Sequence, residues 1–312
     1  MPKRALGVRG AREVEWAACW QLSNPVNIIH ATSRRDRLTL PNSITTPDGT
    51  TLHLVEWSTD GPRGTVLIVH GLGEHSERYG HVAHWLSSRG FGVVAYDQRG
   101  HGQSQGSRGV LPTRDALYED LAQVIDFVRP AKGRLIVLGH SMGGAIAARF
   151  VADARRPVDG LVLSSPALEA NLSLGQQLQL FIGKQLLPLI AQNNGLDPHM
   201  ISHDQAVVRA YMEDEFVHDR ISARLAECII DAGVVARMHA RHWTVPTLVI
   251  YAGDDKLVSP RGSEGFAASA PREVVEATRF DGLYHEIFNE TETLAAPVFA
   301  RLEQWLDARF PA

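Results

Sequence analysis

The 312-residue chain has only two cysteines, Cys19 and Cys228, far apart in sequence. Two such thiols build no disulfide framework, so a cystine-stapled scaffold is excluded and a reducing, cytosolic compartment is expected. Cys228, within Leu225-Ala226-Glu227-Cys228-Ile229-Ile230, reads as a small apolar core residue and not as a catalytic thiol. No run of about 18 apolar residues occurs, which excludes a membrane-spanning helix. Excess positive charge is also lacking: the formal net charge is -4, which argues against a nucleic-acid partner. After Met1-Pro2-Lys3-Arg4, the stretch Arg12-Glu13-Val14-Glu15-Trp16 puts two acids where a signal peptide needs its apolar segment, so no signal peptide is expected. Gly100-His101-Gly102 follows a strand, but no G-x-G-x-x-G opens a helix there, and nucleotide binding is not expected. His81-x-x-His84 and His239-x-x-His242 lack further ligands and read as solvated histidines. The expectation is therefore no cofactor and no metal.

What is present is core material. Hydrophobic residues make up 44% of the chain and charged ones 21%, ample for one large core plus an insertion. Thr65-Val66-Leu67-Ile68-Val69-His70 and Phe91-Gly92-Val93-Val94-Ala95-Tyr96-Asp97 are continuous apolar strands, as are Arg134 to Leu138, Gly160 to Ser164 and Thr247 to Tyr251. Strands apolar on both faces belong to a parallel sheet covered on both sides. Leu52 to Trp57 alternates and suggests an antiparallel edge, and Val274 to Thr278 a last strand. Amphipathic stretches such as Asp115 to Val128 lie between, so the fold class is α/β, a three-layer sandwich around a mostly parallel sheet. Phe299, Leu302 and Trp305 sit at helical spacing and are assigned to the core.

From about Leu168 to Trp243 no convincing strand appears, while Gln176 to Ala191 carries an apolar helix pattern over more than one face. Compact domains disfavour a structureless loop of that length, so a helical cap is expected over 168–243, inserted after the sixth strand. The core then comprises 38–167 and 244–312, with a basic, patternless and loosely attached arm over 1–37. The excess apolar surface of the cap favours a lid that covers an acyl pocket or touches a lipid interface.

Gly139-His140-Ser141-Met142-Gly143 fits G-x-S-x-G between the strand ending at Leu138 and a small-residue helix, Gly144 to Phe150. That context places a serine on a tight strand-to-helix turn with its hydroxyl clear of the backbone. A hydroxyl is a poor nucleophile at neutral pH and needs a base, which needs an orienting acid. In such folds the order is Ser, then Asp or Glu, then His. Asp255, beyond the Thr247–Tyr251 strand, is the first choice for the acid and Asp254 the alternative. His285 is the only histidine C-terminal to His242 and supplies the base. Backbone donors for an oxyanion are expected at Met142, after the nucleophile, and in His70-Gly71-Leu72-Gly73, with Leu72 as the donor. His140 either lines the pocket or packs.

His70-Gly71-Leu72-Gly73-Glu74-His75-Ser76-Glu77-Arg78-Tyr79, Asp97-Gln98-Arg99-Gly100-His101-Gly102-Gln103-Ser104 and Gly139 to Gly144 together resemble the monoacylglycerol lipase and lysophospholipase-like group of the α/β-hydrolase superfamily. The resemblance covers about Thr45 to Leu306. It implies an α/β-hydrolase fold with a cap, a Ser141–Asp255–His285 triad, an oxyanion hole from Leu72 and Met142, and hydrolysis of lipid-like esters with a small polar alcohol, monoacylglycerol first. It also implies that Glu74 and Arg78 stand near the glycerol end, with Tyr211 of the cap lining that pocket; a helix-start ion pair is the alternative for Glu74 and Arg78. The chain departs from the group's pattern at Asp214-Glu215-Phe216, where members often carry Asp-Pro-Leu, and at Phe288, where some place a second histidine. The rival readings are a short- or medium-chain carboxylesterase, a lysophospholipase, and a ligand-binding protein on a hydrolase scaffold.

Overall fold

A computed structural model describes residues 40–59, 63–170, 180 and 182–311. The expected arm over 1–37, with Cys19, lies outside the described residues, as do Leu178 and Phe181 of the apolar cap stretch.

Eight strands form one sheet in the order β1-β2-β4-β3-β5-β6-β9-β10. These are β1 (Ser43–Thr45), β2 (Thr51–Trp57), β3 (Gly64–Val69), β4 (Phe91–Tyr96), β5 (Leu135–His140), β6 (Gly160–Ser164), β9 (Thr247–Ala252) and β10 (Val275–Phe280). The β1–β2 and β2–β4 pairs are antiparallel and every other pair is parallel. The continuous aliphatic runs are explained by period-two alternation with both faces covered. Leu67, Val69, Val137, Leu161, Leu163 and Val249 point into one core, packed by helices Ala116–Lys132, Ser141–Ala152 and Ala223–His239. Val66, Ile68, Ile136, Leu138, Val162 and Leu248 point into the other, packed by helices Gly80–Ser88 and Glu292–Arg309. Each such fully buried side chain contributes about 2 kcal/mol. Phe299, Leu302 and Trp305 lie in the second core, as their spacing indicates. The expected edge strand Leu52–Trp57 is covered by β1, so the three-residue β1 is the edge on that side.

Two expectations for the 168–243 interval need correction. The interval contains two strands, β7 (Ala191–Asn193) and β8 (Arg220–Ser222), paired antiparallel. At three residues each they carry no readable alternation. The helix expected through Ala191 is helical at 182–186 and has left the helix before Pro188; the ring there removes an N–H, and the residue ahead of it is pushed away from helical dihedrals. Two helices follow. Gln205–Glu213 is N-capped by Asp204, whose side chain accepts the Ala206 N–H. Ala223–His239 is N-capped by Ser222, whose hydroxyl accepts the Leu225 N–H, and it buries Leu225, Cys228, Ala232 and Ala236 in the first core. Among the described residues no helix is long and apolar enough to cross a membrane.

Candidate active site

Parallel strands running the same way bring their C-terminal loops to one edge of the sheet, and the chemistry-bearing residues collect there. Ser141 directly follows β5 and opens its helix at φ +51°, a left-handed conformation that a residue with a side chain rarely adopts. The turn is tight enough to demand glycine on either side. A Cβ on Gly143 would run into the carbonyl oxygens of Val69 and His70, and one on Gly139 would come within 2.6 Å of the Gly143 carbonyl. Ser141 is left with its side chain facing a cavity of about 640 Å³. Met142 is the second residue of the helix, where N–H groups have no intrahelical acceptor.

His285 lies on the loop after β10 and lines the same cavity. Its Nδ1 donates to Asp255 Oδ2 at 2.6 Å, while Asp255 Oδ1 accepts the N–H groups of Leu257 and Val258, both at 2.9 Å. Asp254, the alternative acid, is exposed and Asp255 is buried. The Asp255 bond fixes the proton on Nδ1 and leaves Nε2 as the basic nitrogen. Burial alone would lower the His285 pKa, but the charge and hydrogen bond of Asp255, aided by Glu286 and Glu74, outweigh it and raise the value. Burial would raise that of Asp255; the His285 pairing and the two backbone donors reverse it and the carboxyl is held low. Ser141 and His285 line the same cavity.

His140 packs its ring 4.8 Å from that of His285, also reaches the cavity, and sets Nδ1 3.2 Å from the Ser164 hydroxyl. Burial, then the neighbouring His285, brings its pKa down to about 4, so it is neutral where His285 titrates.

The Gly71–Gly73 loop is held from behind. His70 is fully buried, donates from Nδ1 to the Gly71 carbonyl and accepts the Gln98 N–H on Nε2. Glu74 Oε1 accepts the Gly71 N–H at 2.5 Å and the Tyr79 hydroxyl at 2.7 Å, and its Oε2 accepts Arg78 at 2.5 Å. Burial pushes the Glu74 carboxyl up, but Arg78, with His140 and His70, pulls it down to about 2. Leu72 and Glu74 line the cavity; Arg78 stands behind its wall. Both Arg78 Nη atoms meet Glu286, at 2.8 and 2.7 Å, and the guanidinium lies 4.8 Å from the centre of the Tyr211 ring. Glu74 and Arg78 are thus an i,i+4 ion pair that continues into Glu286, and Tyr211 reaches the cavity from helix Gln205–Glu213.

Sequence reasoning missed Glu286, although it adjoins His285, because its partner is 208 residues away and no spacing announces the pair. It also misses the role of Asp214, which accepts from the His75 ring at 2.8 Å and from the Phe216 N–H, within the run where the chain departs from the group's pattern. His218 was missed as well. Its N–H donates to the Gly73 carbonyl, fastening the segment after helix Gln205–Glu213 to the Gly71–Gly73 loop. Among the described residues no group of three His, Cys, Asp or Glu side chains is arranged to hold a metal ion.

A histidine on a loop, a carboxylate paired with it, a serine on a strained turn and a helix start facing one cavity form an arrangement capable of acyl transfer. A family model described as serine aminopeptidase S33 (Hydrolase_4) matches residues 60–292. The chain is 38% identical over 246 residues to a monoacylglycerol lipase of Mycolicibacterium smegmatis, covering 76% of this chain and 86% of that one. It is 33% identical over 256 residues to an uncharacterized abhydrolase domain-containing protein of Dictyostelium discoideum, covering 80% of this chain and 27% of that much longer one. The crystal structure of a Paleococcus ferrophilus monoacylglycerol lipase is similar at a TM-score of 0.76 and 31% identity, over 83% of this chain and 99% of that chain. By the extent of these matches and by its sheet, the chain belongs to the serine aminopeptidase S33 (Hydrolase_4) family and has the α/β-hydrolase fold.

Proposed function

We propose that the protein hydrolyses carboxylic esters of single-chain lipids, monoacylglycerol first, through an acyl-enzyme on Ser141. The observation that carries this reading is the convergence of Ser141, at φ +51°, and the Asp255-paired His285 on one cavity. The names of the Mycolicibacterium and Paleococcus relatives supply the substrate class. Ser141 attacks the ester carbonyl as His285 Nε2 takes its proton. The oxyanion is held by the Leu72 and Met142 N–H groups, His285 returns the proton to the leaving alcohol, and water activated by His285 releases the fatty acid. Asp255 keeps the imidazole in its tautomer and stabilises the imidazolium. The cavity divides its lining between apolar side chains, including Leu72, Ile201, Val217 and Leu257, and polar ones, including Glu74 and Tyr211. The first set suits an acyl chain and the second an alcohol with free hydroxyls. In this reading 168–243 is the cap that roofs the cavity.

The substrate class is tested by comparing kcat/KM for 1-monooleoylglycerol, lysophosphatidylcholine, p-nitrophenyl acetate and leucine p-nitroanilide. Monooleoylglycerol should exceed lysophosphatidylcholine by about tenfold or more, since buried polar groups left unpaired by the wrong alcohol penalise it. The anilide should not turn over. Cleavage of the anilide without the esters would overturn the reading.

The pH dependence has a definite sign. Protonated His285 cannot act as a base, and its pKa is raised, so kcat/KM should climb with pH through an inflection above 6.5, the ordinary imidazole value. An inflection below it would contradict the Asp255 pairing.

The stretch 182–190 exposes Ile182, Leu186, Leu187, Leu189 and Ile190, with Leu186 72% and Ile190 61% exposed. A run of exposed apolar side chains of this kind fits transient contact with a lipid surface, from which the substrate would be drawn. Phosphatidylcholine liposomes should carry the wild type upward in a flotation gradient, and the Leu186→Ser/Leu187→Ser/Ile190→Ser variant should remain at the bottom. Equal flotation would remove this patch as the contact.

A further inference from the structure

We propose that Glu290 is a positioning residue whose buried carboxylate clamps the His285 loop to the foot of helix Gln205–Glu213, so that the alignment of the base and the seating of that helix depend on each other. The inference rests on the reading of His285 as the base.

Glu290 lies five residues after His285 and is completely buried. Its Oε1 accepts the backbone N–H of Tyr284, immediately before His285, at 2.7 Å, and His203 Nδ1 at 2.8 Å. Its Oε2 accepts the His203 N–H at 2.9 Å. The Ser202 hydroxyl points between the Asn289 carbonyl, at 2.8 Å, and Glu290 Oε2, at 3.3 Å. The His203 and Tyr284 rings stack with centroids 3.7 Å apart, and the Glu286 N–H donates to the Ile201 carbonyl at 2.8 Å. Segment 201–204 is thereby fastened to the loop on both sides of His285. The Ser202 hydroxyl also accepts the Asp204 N–H, and Asp204 caps the helix that presents Tyr211 to the cavity.

The chemistry requires a carboxylate at this point. Taking a carboxylate out of water is costly unless donors surround it, and this one has donors on both oxygens. A glutamine would fill the same space, but its amide NH₂ would face N–H groups where an acceptor oxygen now stands. The loop would relax locally, and the imidazole would move with Tyr284. Displacement of a base by about 1 Å costs up to about a hundredfold in rate. A small ester that makes little use of the cap should bind as before.

The test uses the full chain, with Glu290→Gln, His203→Ala and the double variant assayed on p-nitrophenyl acetate alongside thermal melts. Glu290→Gln should lose about tenfold to a hundredfold in kcat with KM within about twofold. Its pH profile should show a lower plateau at an unchanged inflection, because Asp255 still sets the imidazole. His203→Ala should lose about threefold, and the double variant should be no slower than Glu290→Gln, because the two share one contact. A folded Glu290→Gln enzyme with wild-type kcat would overturn the proposal, as would losses that multiply in the double variant. If Glu290→Gln does not fold, His203→Ala decides alone: a loss in kcat at unchanged KM supports the clamp and wild-type kcat overturns it. Failure of the esterase reading looks different, since the wild type itself would then show no Ser141-dependent turnover, and the clamp falls with it.

Discussion

Replacing Ser141 by alanine is expected to lower kcat for p-nitrophenyl esters by about 10⁶-fold, the scale seen when the nucleophile of a serine triad is removed. The effect is this large because, in the proposed mechanism, the serine works as a unit with the base and acid. Without the hydroxyl, the imidazole has nothing to deprotonate, and only binding and the oxyanion donors remain to assist water. The fold should survive. Alanine adds no volume at 141, and the collisions that define the turn involve Gly139 and Gly143, which are unchanged. The melting temperature should therefore stay within a few degrees while activity disappears. Turnover near that of the wild type, in a folded variant, would remove Ser141 from the chemistry.

The second large effect is expected at Asp255. Asp255→Asn keeps the shape of the side chain but offers an amide where Oδ2 now accepts His285 Nδ1 at 2.6 Å. The imidazole then loses the partner that fixes its tautomer, and kcat should fall by about 10⁴-fold. A second readout separates this from simple damage. Burial lowers the His285 pKa and Asp255 is the main group that raises it, so the inflection of kcat/KM should move to lower pH in the variant. A loss of rate with an unmoved inflection would mean that another group sets the base. Asp254→Asn, at an exposed position, should leave both rate and inflection unchanged.

The sheet and the candidate site were legible because their signals are local. An aliphatic run such as Val66–Val69 or Leu135–Leu138 announces a strand covered on both faces, and both cores are present. Gly139 and Gly143 bracket Ser141 because backbone approaches there leave no room for a Cβ, a constraint written in five consecutive residues. His285 could be reached by elimination, and Asp255 is preferred to Asp254 from its place beyond the strand; in the structure it is Asp255 that is buried and paired with His285. What escaped notice is held by pairing across long separations. The Arg78–Glu286 and His75–Asp214 bonds link residues 208 and 139 positions apart, and neither has a period or a motif. The strands β7 and β8 are too short to alternate. The apolar stretch through Ala191 carries a helical pattern in composition, but Pro188 overrides it. Glu74 and Arg78 illustrate the same limit: their spacing fits both an ion pair and a substrate contact, and only the third partner, Glu286, reveals the extended network.

The central claim is that Ser141 becomes the covalent acyl carrier when His285 and Asp255 act on it. It is tested most directly by treating the protein with a fluorophosphonate probe and mapping the adduct by peptide mass spectrometry. The account predicts one adduct per chain on Ser141, absent in Ser141→Ala and formed far more slowly in His285→Ala. A protein that turns over esters while Ser141 stays unlabelled, or that carries its adduct on another residue, would contradict it.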